Sequence, residues 1–407
     1  MSAIAEFRDR SLTRKPEDLG FSSDRLARIR PALEREVAET RIPGAVVMVA
    51  RHGETALLEA VGIRDPESGA AITSDAIFSI ASMTKAMTSV AMLMLYEEGR
   101  LLLSDPASKY LPQLAGMKVG VGRGSDFRLA PATHDFTLQD LLRHTSGLTY
   151  PGRGTTEAHA RQPGDPFKMA LTRERDEFLD LLGQSPLLYQ PGTAWEYGFS
   201  TDIVGHVVEV VSGQSLGAFL KERLWDPLGM TDTAFLLAPE KASRYARAFP
   251  NDVLTGAPVS IFHARPIAPK WETGGGGAVS TAADYMRFLQ MLLAGGTFEG
   301  RRYLSRKTVA YMTADHLGTG IENRVTTMDP SCAGYGFGLG VAVRLGPGVA
   351  GVIGSAGDYY WSGVFGTYFW VDPAENLAVV FMGMAPGQIR LRYRALLRPL
   401  VLQAIID

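Results

Sequence analysis

Strand-like segments lie near both ends of this 407-residue chain, and helix-like segments fill most of the region between them. Apolar runs or apolar alternation predict strands at 44–50, 54–62, 77–80, 335–344, 363–372 and 377–384. The first two flank a His52-Gly53 turn and predict a hairpin, as do the last two. Because distant parts of the chain must pair to bury these strands, we expect an α+β fold (an α/β sandwich). One antiparallel sheet would be built from the N- and C-terminal segments and flanked by helices.

Helix-like periodicity suggests how the rest of the chain is organised. Apolar residues at helical spacing predict helices over 23–41, 82–99, 200–224 (two helices) and 388–405. We predict an α/β domain made of residues 1–99 and 266–407, with a mainly helical domain, residues 100–265, inserted between its two parts. Within the insertion, the polar segment 151–176, rich in Gly and Pro, predicts a lid-like loop.

Composition excludes several classes of protein. Hydrophobic residues make up 46% and charged residues 21%, which is typical of a globular chain. The 41 Lys and Arg residues are balanced by 43 Asp and Glu residues, so no basic field favours nucleic acid. The single cysteine, Cys332, cannot form an internal disulfide. We expect it to be a buried, inert thiol, with an intermolecular bridge or a catalytic thiol as the alternatives.

Targeting signals are not evident in the sequence. The first 20 residues carry charges throughout and contain no continuous apolar region, which argues against a secretory signal. No run of 18 apolar residues predicts a membrane-spanning helix. These features predict a cytoplasmic protein that binds neither membrane nor nucleic acid, although removal of a signal would leave the same sequence. The oligomeric state stays open.

The most informative motif is Ser82-Met83-Thr84-Lys85, at the start of the predicted helix over 82–99. A spacing of three puts the Ser82 and Lys85 side chains on one helical face. At a helix N-terminus, backbone N–H groups and the positive end of the helix dipole can stabilise an oxyanion. Burial disfavours a charged ammonium, so a neutral Lys85 could act as a general base toward Ser82. The alternative is that Ser82 caps the helix and Lys85 is solvated.

Several stretches, in the same order, resemble one known superfamily. They are IASMTKAMTSVAMLMLYEEGRLLLSDP (80–106), 137–148, 191–216, 226–230 and 274–289. They are similar to the serine β-lactamase/penicillin-binding-protein superfamily over about residues 20 to 385. Within it, the chain is most similar to the class C β-lactamase-like carboxylesterases called family VIII esterases. The resemblance implies a β-lactamase/transpeptidase-like fold, a Ser82 nucleophile with Lys85 beside it, and no cofactor.

The second motif of the superfamily is Tyr-x-Asn, and its best match is Tyr197-Gly198-Phe199. The resemblance implies that Tyr197 shares a proton with Lys85. Phe199 occupies the asparagine position, a departure that would place an apolar side chain at the substrate. The alternative for Tyr197 is a structural aromatic residue.

The third motif, Lys-Thr-Gly, is best matched by Trp361-Ser362-Gly363 just before a predicted strand. This match resembles the esterase branch and implies substrate-binding roles for these three residues. It also implies that the backbone N–H groups of Ser82 and Val364 form the oxyanion hole. The alternative for Trp361 is a core residue, and both roles are compatible.

The departures from the motifs bear on the substrate. In penicillin-recognising members the third-motif lysine meets a substrate carboxylate, whereas Trp361 offers one neutral donor. We therefore expect a carboxylesterase that cleaves short neutral esters through an acyl-enzyme on Ser82. The alternatives are a β-lactamase, a D-amino-acid peptidase, an acyltransferase, or a binding protein that kept the fold.

Other motifs are less informative. Residues 213–217 fit G-x-S-x-G, but a predicted helix precedes Ser215 where that nucleophile elbow needs a strand, so we expect a helix–helix turn. Gly120-x-Gly122-x-Gly124 lacks a dinucleotide-site context. The histidines lack metal-site spacing, so we expect no metal site. We expect His144 to cap a helix C-terminus.

Overall fold

The computed structural model describes residues 14–259 and 267–407. The expectation that the first 20 residues hold no signal lies largely outside these ranges, and the predicted boundary at 265 and 266 lies wholly outside them. The division into two domains stays a prediction.

The long strands lie at the centre of the main sheet, and most others are short. The strands are β1 (Gly44–Arg51), β2 (Glu54–Asp65), β3 (Ala70–Ala71), β4 (Phe78–Ser79), β5 (Lys118–Val121), β6 (Arg128–Pro131), β7 (Val279–Ser280), β8 (Thr297–Phe298), β9 (Arg301–Arg302), β10 (Tyr335–Phe337), β11 (Ala342–Arg344), β12 (Tyr359–Ser362), β13 (Tyr368–Asp372) and β14 (Leu377–Gly383). Within the described residues, eight of them form one antiparallel sheet in the order β10-β11-β12-β13-β14-β1-β2-β3. The N-terminal strand β1 pairs along its whole length with the C-terminal strand β14, from Ala45 opposite Gly383 to Arg51 opposite Leu377. The predicted α+β fold is confirmed.

Helices precede, follow and separate these strands. They are α1 (Ser23–Leu26), α2 (Ile29–Ala38), α3 (Thr84–Glu97), α4 (Leu138–Leu142), α5 (Glu157–Ala160), α6 (Pro166–Thr172), α7 (Arg175–Gly183), α8 (Ser200–Ser212), α9 (Leu216–Leu220), α10 (Asp226–Leu228), α11 (Ala282–Leu293), α12 (Arg306–Met312) and α13 (Arg390–Leu402). Helix α3 packs against α8, and its side chains from Thr84 to Leu95 are all buried, as its apolar circumference predicts. In the described residues, no single helix is long and apolar enough to cross a membrane. One pair bent by 78°, Ser200–Ser212 with Leu216–Leu228, meets the length and composition test only when its two helices are taken together.

Both faces of the sheet are covered by helices. Consecutive side chains of a strand point to opposite faces. On one face, the Tyr368 hydroxyl accepts a hydrogen bond from Arg398 of α13 (2.9 Å), and Phe381 stacks on Tyr393 of the same helix. On the other face, Phe369 packs against Tyr285 of α11. Because neither face of the central strands meets water, β1, β13 and β14 are buried along their entire length.

Two predicted strands have different bounds in the structure. Residues 335–344 form two paired strands, β10 and β11, because the chain turns at Gly340, whose φ of 95° requires glycine. Residues 363–372 contain a second such turn at Gly366, with a φ of 110°. The strand after this turn, β13, begins at Tyr368, and Trp361 therefore lies inside the preceding strand, β12, and not before a strand.

Two predictions for helical regions also needed correction. The helix predicted over 23–41 is broken into α1 and α2, and Ser22, not Ser23, caps it by accepting the Arg25 N–H. The segment 151–176 is not one long loop, since it contains a 3-10 turn, α5, α6 and the start of α7. Pro166 occupies the first turn of α6, where proline is tolerated, so proline starts a helix here.

A buried ionic cluster connects α13 to the sheet. Asp358 accepts a hydrogen bond from Arg344 Nε (2.8 Å), two from Arg398 (2.8 and 3.1 Å) and one from the Tyr335 hydroxyl (2.8 Å). Asp358 is fully buried, and each arginine is almost fully buried. Removing a carboxylate from water costs free energy, and the four hydrogen-bond donors around Asp358 offset that cost.

Candidate active site

The backbone before α3 holds Ser82 in a tight turn. Ser82 is the middle residue of a 3-10 turn, Ala81–Met83, that leads directly into α3. Ala81 has a φ of 44°, a left-handed conformation that is unfavourable for a residue with a Cβ. The Thr84 hydroxyl stabilises the turn, since it donates to the Ala81 carbonyl (2.7 Å) and accepts from the Ala278 N–H (3.1 Å).

Two of the predicted side chains, those of Tyr197 and Lys85, contact the Ser82 hydroxyl, and a third, that of Trp361, contacts Tyr197. The Tyr197 hydroxyl donates to Ser82 Oγ over 2.7 Å, and Lys85 Nζ lies 3.4 Å from the same oxygen. Trp361 Nε1 donates to the Tyr197 oxygen over 3.4 Å. Tyr197 lies just before α8 and Trp361 lies in β12, so elements far apart in sequence bring these groups together.

The Lys85 amine is enclosed by backbone and aromatic groups. Its side chain is fully buried, and Nζ donates to the Gly275 carbonyl over 2.5 Å. Nζ also lies 4.6 Å from the centre of the Tyr197 ring and 5.8 Å from that of Tyr150. In residues 14–259 and 267–407, no carboxylate lies within ion-pair distance of it. The hydrogen-bond contacts of Nζ in this part of the structure are with the Gly275 carbonyl and the Ser82 hydroxyl.

Aromatic rings pack around Tyr197. The His144 ring lies 4.9 Å away, Trp195 stacks at 6.0 Å, and Tyr150 meets it edge-on at 5.7 Å. His144 closes the C-terminus of α4 as expected, but through its backbone: its φ is 58° and its N–H donates to the Leu141 carbonyl over 3.3 Å. Its ring is fully buried, and its Nε2 lies 3.3 Å from the Thr201 hydroxyl. Burial, and then the nearby Lys85, hold the pKa of His144 well below its usual value, so the ring is neutral.

The third-motif residues lie at the C-terminal end of β12. Gly363 approaches the turn before the serine so closely that a Cβ there would lie 2.5 Å from the Ile80 carbonyl oxygen. The Thr367 hydroxyl donates to the same carbonyl over 3.1 Å. This close approach is possible only for glycine, and it brings the next residue, Val364, to the cavity that Ser82 lines.

One cavity of about 500 Å³ adjoins these groups, although the fully buried Lys85 does not itself line it. Of the predicted site residues, it is lined by Ser82, Tyr197, Trp361, Ser362 and Val364. Phe199, which was expected to contact substrate, does not line it, because its fully buried ring packs behind Tyr150 at 4.8 Å.

Asp202 is a buried residue near the site that sequence reasoning missed. It lies in the first turn of α8, and its carboxylate accepts hydrogen bonds from the Gly275 N–H over 3.0 Å and from the Tyr150 hydroxyl over 3.1 Å. Burial raises the pKa of Asp202, and the nearby Lys85 opposes that rise. Since Gly275 also accepts from Lys85, Asp202 fixes the loop that positions the amine. The sequence signal that could have indicated Asp202 is its position five residues after the motif residue Tyr197.

Charged residues of α13 were also missed. Arg390 and Arg394 line the cavity, and Arg394 forms an ion pair with Asp329 over 2.8 Å. Burial, followed by repulsion from Arg394, lowers the pKa of Arg390 to about 10. The absence of a cation at position 361 therefore does not extend to the whole cavity, whose wall includes these two guanidinium groups.

The other candidate motifs lie elsewhere. Ser215 caps α9 by accepting the Ala218 N–H over 3.2 Å, and α8 precedes it, so it lies in a helix–helix turn as predicted. The glycines at 120–124 belong to the β5–β6 hairpin. Cys332 is buried, and burial raises its pKa to about 12. Among the residues that the structure describes, no group of His, Cys, Asp and Glu side chains could hold a metal ion.

Comparisons with known proteins extend over most of the chain. The beta-lactamase family model matches residues 29–397. Protein Rv1367c of Mycobacterium tuberculosis is 33% identical over 358 residues, 86% of this chain and 87% of that protein. Esterase EstB of Burkholderia gladioli is 32% identical over 376 residues, 88% of this chain and 89% of that protein. The solved structure of EstCE1, described as a hydrolase with promiscuous acyltransferase activity, matches with a TM-score of 0.75 at 24% identity. The match covers 93% of this chain and 98% of that one and shows a shared fold. This chain therefore belongs to the beta-lactamase family, within the serine β-lactamase-like superfamily.

Proposed function

We propose that the chain is a serine carboxylesterase that cleaves short neutral carboxylic esters through an acyl-enzyme on Ser82. The observation that carries this proposal is the position of Ser82, which lines the cavity and whose Oγ lies 2.7 Å from the Tyr197 hydroxyl and 3.4 Å from Lys85 Nζ. Relatives named as esterases, and the family itself, support a hydrolase or an acyltransferase.

The arrangement supports a two-step mechanism. Ser82 Oγ attacks the ester carbonyl while Tyr197 takes the serine proton and passes its own hydroxyl proton to the Lys85 amine. Lys85 then returns that proton through Tyr197 to the alcohol oxygen as the bond between the acyl carbon and this oxygen breaks. The backbone N–H groups of Ser82 and Val364 are proposed to hold the carbonyl oxygen as it becomes negative. Water, deprotonated by the same pair, then cleaves the acyl-enzyme to release the acid.

The surroundings of the third motif favour a neutral acyl group. Trp361 is almost fully buried, and its one side-chain N–H donates to Tyr197. It therefore has no positive charge with which to bind a substrate carboxylate. A carboxylate next to the indole would lose hydration without an ionic partner, which is costly. A neutral ester carries no such group.

A second candidate is acyl transfer from a substrate with a carboxylate, as in a β-lactamase or a D-amino-acid peptidase. Arg390 favours it, since it lines the cavity and forms no ion pair with a carboxylate among the described residues. A substrate carboxylate beside this guanidinium would gain a charge-assisted hydrogen bond.

Hydrolysis of p-nitrophenyl acetate and of a chromogenic cephalosporin tests both candidates. We expect a higher kcat/KM for the ester, and a shift of the ratio toward the cephalosporin in Trp361→Lys. Arg390→Gln should leave ester hydrolysis nearly unchanged and should reduce any cephalosporin hydrolysis. If the wild-type protein hydrolyses the cephalosporin better than the ester, the esterase proposal is wrong and the second candidate is favoured.

A further inference from the structure

A narrow apolar crevice lies beside the active-site cavity. Its volume is about 40 Å³, and its lining includes Leu171, Leu236 and Ile267. Apart from Thr273, the side chains that line it within the described ranges are apolar. No step of the proposed mechanism uses this space.

Two side chains, Phe167 and Thr273, line both the crevice and the cavity. Phe167 belongs to α6 and is half-buried. Its ring packs on the backbone at Gly276, where an added Cβ would lie 2.8 Å from the ring Cζ. Gly276 follows the residue whose carbonyl receives Lys85, so the ring lies close to the reacting groups.

We infer that Phe167 closes the crevice and thereby limits the length of acyl chain that the active site accepts. The inference rests on the proposed esterase function and names a specificity-determining residue for it. The acyl chain is the appropriate occupant because it stays bound while water cleaves the acyl-enzyme. The charged part of the cavity wall, at Asp329, Arg390 and Arg394, is suited to water and polar groups instead.

Removal of the ring should open the crevice to longer chains. Each methylene group moved from water into an apolar site contributes a factor of about 4 in binding. Two methylene groups in the opened space would therefore raise the selectivity for a longer chain on the order of tenfold. The ester carbonyl stays in place, so short substrates should lose little.

The test is kcat/KM for p-nitrophenyl acetate, butyrate, hexanoate and octanoate in the wild type and in Phe167→Ala. We expect the octanoate-to-acetate ratio to rise on the order of tenfold in the variant. Phe167→Leu should give an intermediate rise and guards against misfolding of the alanine variant. Phe298→Ala, which removes a half-buried ring on β8, is the matched control and should leave the ratio unchanged.

A double variant locates the effect in the crevice. Leu236 is 41% exposed and lines the crevice, so Leu236→Trp in the Phe167→Ala background should refill the space and reverse the rise. An unchanged ratio in Phe167 variants that still hydrolyse the acetate would refute this inference alone. An equal loss for all chain lengths would also refute it, since that is the result of a purely structural role. If the wild type hydrolyses none of the esters, the proposed function fails first.

Discussion

Tyr197→Phe separates the chemistry of the site from its packing. The substitution removes only the oxygen that lies 2.7 Å from Ser82 Oγ, and the ring keeps its contacts with His144 at 4.9 Å and Trp195 at 6.0 Å. The proton of Ser82 must then reach Lys85 directly over 3.4 Å. A positioned proton-transfer group contributes on the order of 10²- to 10⁴-fold in rate, so we expect kcat to fall by that amount.

The assay is kcat and KM for p-nitrophenyl acetate, with the thermal midpoint measured on the same samples. KM and the thermal midpoint should change little, because binding surface and packing remain. Trp361→Phe is the comparison: it removes the longer 3.4 Å hydrogen bond to the Tyr197 oxygen, and we expect a loss of less than about tenfold. If Tyr197→Phe kept more than a tenth of wild-type kcat, the proton-transfer role would be refuted.

The remaining predictions concern the nucleophile, the base and two buried carboxylates. Ser82→Ala should reduce kcat on the order of 10³-fold or more, while Ser215→Ala should leave kcat nearly intact; the reverse result would contradict the site. Lys85→Arg keeps a charge but cannot deprotonate, so it should be as inactive as Lys85→Ala in the same ester assay. Asp358→Ala should lower the free energy of unfolding by about 3–5 kcal/mol in urea titrations, because it leaves two buried arginines without their carboxylate partner. A loss below about 1 kcal/mol would contradict this expectation. Burial raises the pKa of Asp284 to about 7, so its contribution to stability is complete below its unfolded pKa and is lost as pH rises through 7. Asp284→Asn should therefore flatten the decline between about pH 4 and 7, and an unchanged pH profile would contradict the expectation.

The parts of the site that sequence could predict are those carried by local spacing or by an extended motif. Ser82 and Lys85 are three residues apart, so helical geometry alone brings them together. Tyr197 is 115 residues from Ser82, and only the resemblance over several ordered segments predicted its role. The sheet could be predicted from apolar patterning at the two ends of the chain, because β1 and β14 are continuous apolar runs.

The rest depends on tertiary packing that no local pattern encodes. Phe199 occupies a motif position, yet Tyr150 covers it, because the chain before α8 turns its ring into the core. Arg390 lines the cavity, and its helix, α13, is held against the sheet by contacts such as that of Arg398 with Tyr368, which no local pattern indicates. Strand bounds were missed where a left-handed glycine, such as Gly340, turns the chain inside an apolar run.

The third-motif tryptophan, Trp361, also affects the electrostatic surroundings of Tyr197 and Lys85. Lys85 is fully buried next to aromatic rings, and the same surroundings hold the pKa of His144 well below its usual value. A lysine at position 361 would place an ammonium near the Tyr197 hydroxyl that Trp361 now contacts over 3.4 Å, and so beside the groups proposed to move the proton. The indole completes the aromatic enclosure, with its ring 5.4 Å from that of Tyr197, and donates one neutral hydrogen bond. The tryptophan therefore supports the proposed preference for a neutral ester in two ways, because it adds no second cation beside the groups proposed to move the proton and offers a substrate carboxylate no ionic partner.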